Sequence, residues 1–121
     1  MFLLTINSSF SAAHSLTIQG VPEPVHGHDW QVEAVVQGDQ LDSDGLLCDF
    51  HDLESLLEEI LAPFQTADLN GADAFQGENP SAEVVARYIG ERLASGLPEP
   101  VTLQKVSVTE APGCMATWIA T

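Results

Sequence analysis

Alternation of apolar and polar residues along the chain predicts strands, because successive side chains of a strand point to opposite faces. Four half-buried strands are predicted in this way, at residues 2–14, 26–37, 101–109 and 114–120. Pro112 and Gly113 separate the last two and predict a tight hairpin turn. Each strand therefore offers one apolar face to a core.

Two other segments repeat apolar residues at intervals of three and four, which is typical of amphipathic helices. Asp49 can cap the first of them, which is expected to run to about Pro63. Asn79 as the cap and Pro80 as the first helical residue predict the second, which is expected to end near Ala94. Loops are predicted between the periodic segments.

The resulting order is β-β-α-α-β-β, which favours an α+β fold in one domain, residues 1–121. The economical packing is a four-stranded antiparallel sheet with both helices on one face. Such a sheet has free edges, and joining copies of the chain would cover them. We therefore expect a homo-oligomer.

The charge balance narrows the classes of partner. Eighteen acidic residues against three basic ones give a net charge of −15, so binding to nucleic acid or to an anionic membrane surface is not expected. The two cysteines are predicted to be free thiols of a reducing compartment. No segment has the features of a signal peptide or the length of a membrane span, which predicts a cytoplasmic protein.

Three of the four histidines lie at the meeting ends of the first two strands. His26 and His28 are two residues apart and share a face, and His14 ends the preceding strand. If the two strands pair antiparallel, the three imidazoles lie on one surface and can bind Zn²⁺. Three protein ligands leave one coordination position open, as in catalytic zinc sites.

Each residue of this group also has an ordinary interpretation. A lone His-x-His on a strand more often consists of ordinary surface or core residues than of metal ligands, and His14 alone would be a hydrogen-bonded core histidine. Glu23, between two prolines and three residues before His26, is either a carboxylate near the metal or a loop acid. Glu110 shares the apolar parity of the third strand, at its end.

Several segments, in this order along nearly the whole chain, resemble the 6-pyruvoyl tetrahydropterin synthase family, whose bacterial relative is 6-carboxytetrahydropterin synthase of the queuosine pathway. The similar segments are FSAAH at 10–14, HGHDW at 26–30, GLLCDFHDL at 45–53, DLN at 68–70, ENPSAE at 78–83 and TEAPGC at 109–114.

This resemblance implies a T-fold, in which subunits join edge to edge into a barrel, often a trimer stacked to a hexamer. It implies zinc bound by the three histidines and a pterin substrate of the 7,8-dihydroneopterin triphosphate type. It also implies that Glu110 anchors the pterin or joins a proton relay, which suits a carboxylate because it accepts two parallel N–H groups. Ser81, in the ENPSAE segment, is implied in substrate binding.

The chain departs from the family where protons are transferred. Pro22 stands where most members have a catalytic cysteine, and Glu23 matches a subset that uses Glu-x-x-His-Gly-His and is associated with side-chain cleavage. Gln65 and Thr66 replace the family's Asp-His pair, and neither is a general base near neutral pH. His51 and Asp68 are the remaining candidates to compensate.

Three functions are consistent with these residues. The first is a zinc-dependent pterin lyase with Glu23 as base and Glu110 as anchor. The second is a catalytically impaired paralogue that binds zinc and a pterin without efficient turnover. The third is a zinc enzyme acting on an uncharged substrate, which the acidity of the chain would suit.

Overall fold

A computed structural model describes all 121 residues, and a five-stranded sheet forms its centre. In chain order the elements are β1 Phe2–His14, β2 Thr17–Ile18, β3 Val21–Pro22, β4 His26–Gly38, α1 Phe50–Leu61, β5 Ala67–Asp68, α2 Ala82–Gly96, β6 Thr102–Ala111 and β7 Cys114–Ile119. The sheet order is β5-β1-β4-β6-β7, and β2 with β3 forms a separate ribbon.

The sheet has one strand more than predicted. The four predicted strands form and pair antiparallel in the order β1-β4-β6-β7. The prediction of four purely antiparallel strands is wrong because β5 adds two residues parallel to β1, with Ala67 opposite Ala12. A two-residue strand contains no period, so the alternation of the sequence could not reveal it.

Both helices pack on one face of the sheet and share a single core with it, as predicted. The largest fully buried side chains include Trp30 and Phe10, whose rings stack with centroids 5.6 Å apart across β1 and β4. The Trp30 indole N–H donates to the backbone oxygen of Ala12 at 3.2 Å. This stacked pair holds β1 and β4 together two residues along the strands from His28.

Asp49 caps α1 as predicted, but the predicted cap of α2 is wrong. Ser81 caps α2 instead, and its hydroxyl oxygen accepts the N–H of Val84 at 3.2 Å. The side chain of Asn79 is bound elsewhere, because it exchanges two hydrogen bonds of 2.8 and 2.9 Å with the backbone of Thr17. Asn79 therefore does not cap α2, because its side chain is bonded to a segment that is distant in sequence.

None of the helices combines the length and the apolar character that crossing a bilayer requires.

Candidate metal centre and active site

The pairing of β1 with β4 brings three histidines together at one end of the sheet. His14 lies directly opposite His26, and Ala12 lies opposite His28, so all three rings share one face. Their centroids are 4.6 to 5.3 Å apart. The predicted convergence of the three imidazoles is therefore present in the fold.

Backbone carbonyls fix the orientation of two of these rings. Nδ1 of His14 lies 2.8 Å from the oxygen of Pro80, and Nδ1 of His26 lies 3.0 Å from the oxygen of Pro24. Since a carbonyl oxygen only accepts, each Nδ1 carries the proton and donates it. In the neutral form of each ring this leaves Nε2 unprotonated, which is the form in which histidine binds metals.

Glu110 joins the histidines from β6. Its Oε1 lies 2.6 Å from Nε2 of His14 and 3.4 Å from Nε2 of His28. The pairing of β6 with β7 shifts register between Thr109 and Ala111, so Glu110 is the extra residue of a β-bulge. Bulges re-aim side chains, and this one lies where β6 reaches the histidine cluster.

The contact between His14 and Glu110 is not an ordinary hydrogen bond. The Nε2 atoms of His14 and His28 are buried and have no hydrogen-bond partner of acceptable geometry, although the Glu110 oxygen lies within contact distance of both. A neutral His14 that donates through Nδ1 points a lone pair at a carboxylate oxygen. Two acceptors at 2.6 Å repel each other unless a metal ion lies between them or Nε2 carries a proton.

The donor atoms suit zinc. Ligand atoms of His14, His26, His28 and Glu110 all lie within 4.8 Å of one another. Imidazole nitrogen and carboxylate oxygen are both common zinc ligands. Three histidine ligands were expected to leave the fourth coordination position of the metal fully open. In the structure the Glu110 carboxylate faces the cluster, so it would have to turn aside for a substrate to reach a bound ion.

The electrostatics of the cluster favour the neutral form of His28. Burial lowers the pKa of His28, and the neighbouring His26 and His14 lower it further, while Glu110 and Glu23 oppose them. The neutral form is the state that a metal ligand needs.

Glu23 lies beside the cluster without belonging to it. Its Oε1 is 3.8 Å from Nε2 of His26 and accepts the backbone N–H of Leu16 at 2.9 Å. The Glu23 N–H donates back to the oxygen of Leu16, also at 2.9 Å. This double contact holds the carboxylate beside His26, which agrees with one of the two interpretations of Glu23 that the sequence left open.

The other predicted residues lie outside the cluster. His51 is 89% exposed in the first turn of α1 and contacts only Asp49, at 3.1 Å. The Asp68 carboxylate accepts the N–H of Asn70 and caps a short turn. Neither belongs to the group of residues whose ligand atoms cluster with the histidines. Ser81 lies next to Pro80, and its oxygen already accepts one hydrogen bond as the helix cap.

Sequence reasoning missed the residues that support the histidines through their backbones. The carbonyl oxygens of Pro80 and Pro24 orient two rings, and Asn70 exchanges two bonds of 2.8 Å with the backbone of Ser15, immediately after His14. Carbonyl groups have no sequence signature. Asn70, within the DLN segment, was the one signal available.

Two cavities flank the cluster, each of about 420 Å³. The first, which we call the His28 cavity, is lined by His28, Gly27, Ser11, Asp29 and Thr66 among others. The second, the Glu110 cavity, lies between Glu110, the start of α2 and the strand β7.

Known proteins share this sequence and this architecture. The family model described as 6-pyruvoyl tetrahydropterin synthase matches residues 3–120. A dihydroneopterin monophosphate aldolase of Pyrococcus furiosus is 32% identical over 103 residues, which are 85% of this chain and 84% of the relative. A 6-carboxy-5,6,7,8-tetrahydropterin synthase of Bacillus subtilis is 31% identical over 120 residues, 92% of this chain and 80% of the relative.

Solved structures agree on the fold. The 6-pyruvoyl tetrahydropterin synthase of Caenorhabditis elegans superposes with a TM-score of 0.85 at 24% identity, covering 100% of this chain and 98% of the other. That of Plasmodium vivax gives 0.81 at 18% identity, covering 99% and 98%. The fold is accordingly the predicted T-fold.

Proposed function

Since this chain belongs to the 6-pyruvoyl tetrahydropterin synthase family, we propose that it is a zinc-dependent lyase that cleaves the side chain of a dihydroneopterin-type pterin. The observation that carries the proposal is the cluster of three histidines and Glu110, whose ligand atoms all lie within 4.8 Å of one another and in which the buried Nε2 of His14 has no hydrogen-bond partner. The relatives from P. furiosus and B. subtilis are both named for pterin chemistry, which supports a pterin here.

His14, His26 and His28 would hold the zinc. When bound, zinc supplies positive charge that lowers the pKa of a coordinated hydroxyl and stabilises developing negative charge. The chain's own contribution is to fix the rings in the neutral tautomer, through the carbonyls of Pro80 and Pro24. Burial of His28 keeps its ring available to the metal.

Glu23 is proposed as the base. Its carboxylate takes the proton of a hydroxyl on the pterin side chain, and the neighbouring carbon–carbon bond breaks as the C–O group becomes an aldehyde. The electron pair of that bond passes to the carbon that stays on the dihydropterin, and this carbon is then protonated. The contact with Leu16 leaves Oε2 of Glu23 free for this transfer.

Glu110 is proposed as the pterin anchor, with Ser81 nearby. A carboxylate can accept two parallel N–H groups from the guanidine-like edge of the pterin. Glu110 borders both the histidine cluster and the Glu110 cavity. Binding a pterin edge in that cavity would draw the carboxylate away from the histidines and open the metal to the substrate.

The alternative is a catalytically impaired paralogue that binds zinc and a pterin. It is favoured by Gln65 and Thr66, which occupy the positions of the family's Asp-His pair. The Gln65 amide is bonded to β1, donating to the oxygen of Ser9 at 3.0 Å. Because an amide is not a general base near neutral pH, Gln65 cannot take up the proton, and turnover would depend on Glu23 alone.

The strand β7 forms one edge of the sheet and exposes Met115 and Ile119. We propose that this edge joins another copy of the chain in a homo-oligomer, a trimer or hexamer. The cytoplasmic location and a place in queuosine biosynthesis remain predictions.

The test is product analysis by mass spectrometry. Zinc-loaded protein is incubated with 7,8-dihydroneopterin and with its monophosphate and triphosphate, so that the result does not depend on phosphorylation. We expect a shortened pterin and an aldehyde. Glu23→Gln should lower kcat by at least about 100-fold while zinc content is kept. Glu33→Gln, on the same strand as His26 and His28, is the matched control.

Tight pterin binding without product would favour the impaired paralogue. Cleavage that Glu23→Gln leaves unchanged would remove Glu23 from the mechanism.

A further inference from the structure

The ribbon of β2 and β3 leads directly to the proposed base, Glu23, but buries little apolar surface of its own. Ile18 and Val21, one on each of its strands, are 57% and 68% exposed. The ribbon also forms a sheet separate from the central one, so no backbone ladder joins the two. Polar contacts must therefore fix this part of the chain and, with it, the Glu23 carboxylate.

Glu23 is bonded to Leu16 in a modified strand pair. Thr17 lies opposite Pro22 in the ribbon, so Leu16 and Glu23 face each other at the next position. A regular antiparallel pair can exchange two backbone hydrogen bonds. Here the Glu23 N–H donates to the Leu16 oxygen at 2.9 Å, but the Leu16 N–H donates to the carboxylate Oε1 of Glu23, also at 2.9 Å. The backbone of Leu16 therefore places the carboxylate.

Two asparagine side chains hold the residues on either side of Leu16. The Asn70 amide accepts the Ser15 N–H and donates to the Ser15 oxygen, both at 2.8 Å. The Asn79 amide does the same with Thr17, at 2.9 and 2.8 Å. A side-chain amide has the donor and the acceptor of a peptide group, so each asparagine acts as a neighbouring strand would. A shift of this segment would carry Leu16 and its bonded carboxylate with it.

Asn79 also connects this segment with the histidine cluster. The next residue is Pro80, whose carbonyl oxygen accepts a hydrogen bond from Nδ1 of His14 at 2.8 Å. Asn79 and Pro80 thus bond to Thr17 and His14, which lie three residues apart where the chain leaves β1. One short stretch therefore fixes both a histidine of the cluster and the backbone that leads to the base.

Resting on the proposed function, we propose that Asn70 and Asn79 are positioning residues for the base Glu23. They hold the backbone on both sides of Leu16, which keeps Oε1 of Glu23 in place, 3.8 Å from Nε2 of His26. Misplacing a reacting group by about 1 Å can lower turnover by about 100-fold. Both asparagines are exposed, so water can replace their bonds and the core is left intact. Their loss should therefore affect turnover more than folding.

Hydrogen exchange of the Leu16 amide, read at residue resolution, tests this positioning without requiring turnover. Neither asparagine bonds to this N–H, which donates to Glu23. In zinc-loaded protein, Asn70→Ala and Asn79→Ala should each speed its exchange at least about fivefold, because a loosened segment opens more often. Asn7→Ala, at an exposed position of β1 that takes no part in these contacts, should leave the exchange unaltered. Unchanged exchange of Leu16 in either variant would overturn the role of that asparagine.

A double-mutant cycle separates positioning of the base from a general structural effect. Asn79→Ala should lower kcat about tenfold, with KM kept within about twofold and zinc content unchanged. In the Glu23→Gln background the same change should lower kcat by no more than about twofold, because the group that Asn79 positions no longer acts as a base. An equal loss of kcat in both backgrounds, or a loss of zinc, would show that Asn79 acts through the fold or the metal and would overturn the proposal.

Asn79→Asp provides a second variant in case the alanine variant does not fold. It keeps the size of the side chain and the acceptor for the Thr17 N–H but loses the donor to the Thr17 oxygen. Exchange of Leu16 should again be faster, and unchanged exchange would overturn the role of Asn79. The two proposals fail separately: faster exchange in a protein that forms no pterin product would overturn only the lyase, whereas cleavage with unchanged exchange would overturn only the positioning.

Discussion

Two imidazole–carboxylate pairs in this protein have similar distances and opposite surroundings. Nε2 of His14 lies 2.6 Å from Glu110 with the histidine fully buried, whereas Nδ1 of His51 lies 3.1 Å from Asp49 with the histidine 89% exposed. The second pair joins residues two apart at the start of a helix. The first joins two strands that are far apart in sequence.

The difference lies in what water can replace. At His51, solvent reaches both groups, so the pair contributes little to the stability of the fold and neither group needs a cation as a partner. At His14, Nδ1 donates to the oxygen of Pro80, and Nε2 is buried without a hydrogen-bond partner. The distances alone do not distinguish the two pairs, whereas burial and the missing hydrogen bond do.

The largest effect is expected from replacing one histidine of the buried cluster, with replacement of His51 in the exposed pair as the comparison. His26→Ala is expected to release zinc, lowering metal affinity by more than about 100-fold, and to lower thermal stability, because the ligands join two strands. His51→Ala should keep full zinc content. Metal analysis after dialysis, with calorimetry of the loaded protein, measures both. Full zinc occupancy in His26→Ala would contradict the metal centre.

A smaller effect is expected from neutralising the two carboxylates. Glu110→Gln should weaken zinc binding about tenfold, because it replaces a charged group beside the metal by a neutral one. Asp49→Asn should leave zinc binding unchanged and alter the free energy of unfolding by only a few tenths of a kcal/mol, since Asn caps helices as well as Asp. Competition with a zinc-binding dye and denaturant unfolding provide the readouts. Equal zinc affinities in the two variants would show that Glu110 does not contribute to zinc binding.

The smallest effect concerns the acidic start of α1. Burial raises the pKa of the Cys48 thiol above its ordinary 9.0, and Asp52 and Asp49 raise it further. Because the neutral thiol is favoured in the folded state, this contribution to stability is present below pH 9 and is lost as the pH rises through the raised pKa.

Asp52→Asn should therefore speed alkylation of Cys48 by iodoacetamide at pH 8, by about two- to threefold, because more thiolate forms. Peptide mass spectrometry follows the reaction, and Glu54→Gln, which is not among the groups that shift this pKa, serves as control. Equal rates in the variant and the wild type would mean that access, not charge, limits the reaction.

Local pattern was sufficient for most of the fold. The four long strands and both amphipathic helices have the periods expected of them, and Gly113 turns the hairpin with a φ of +82°. Features too short for a period were missed, namely β5 and the ribbon of β2 and β3. Asn79 was assigned to the wrong partner, because its bonds to Thr17 cross 62 residues.

The sequence by itself determined that His26 and His28 would share a face, since strand alternation depends only on spacing. It made the position of His14 conditional on antiparallel pairing of the two strands, and it left Glu23 as either a carboxylate near the metal or a loop acid. Only the tertiary structure decided the rest of the centre. The bulge that aims Glu110 depends on how β6 pairs with β7, and the carbonyl that orients His14 comes from a segment 66 residues away. Alternation is a property of one strand, whereas the aim of a side chain and the state of its proton are set by partners that folding brings from elsewhere.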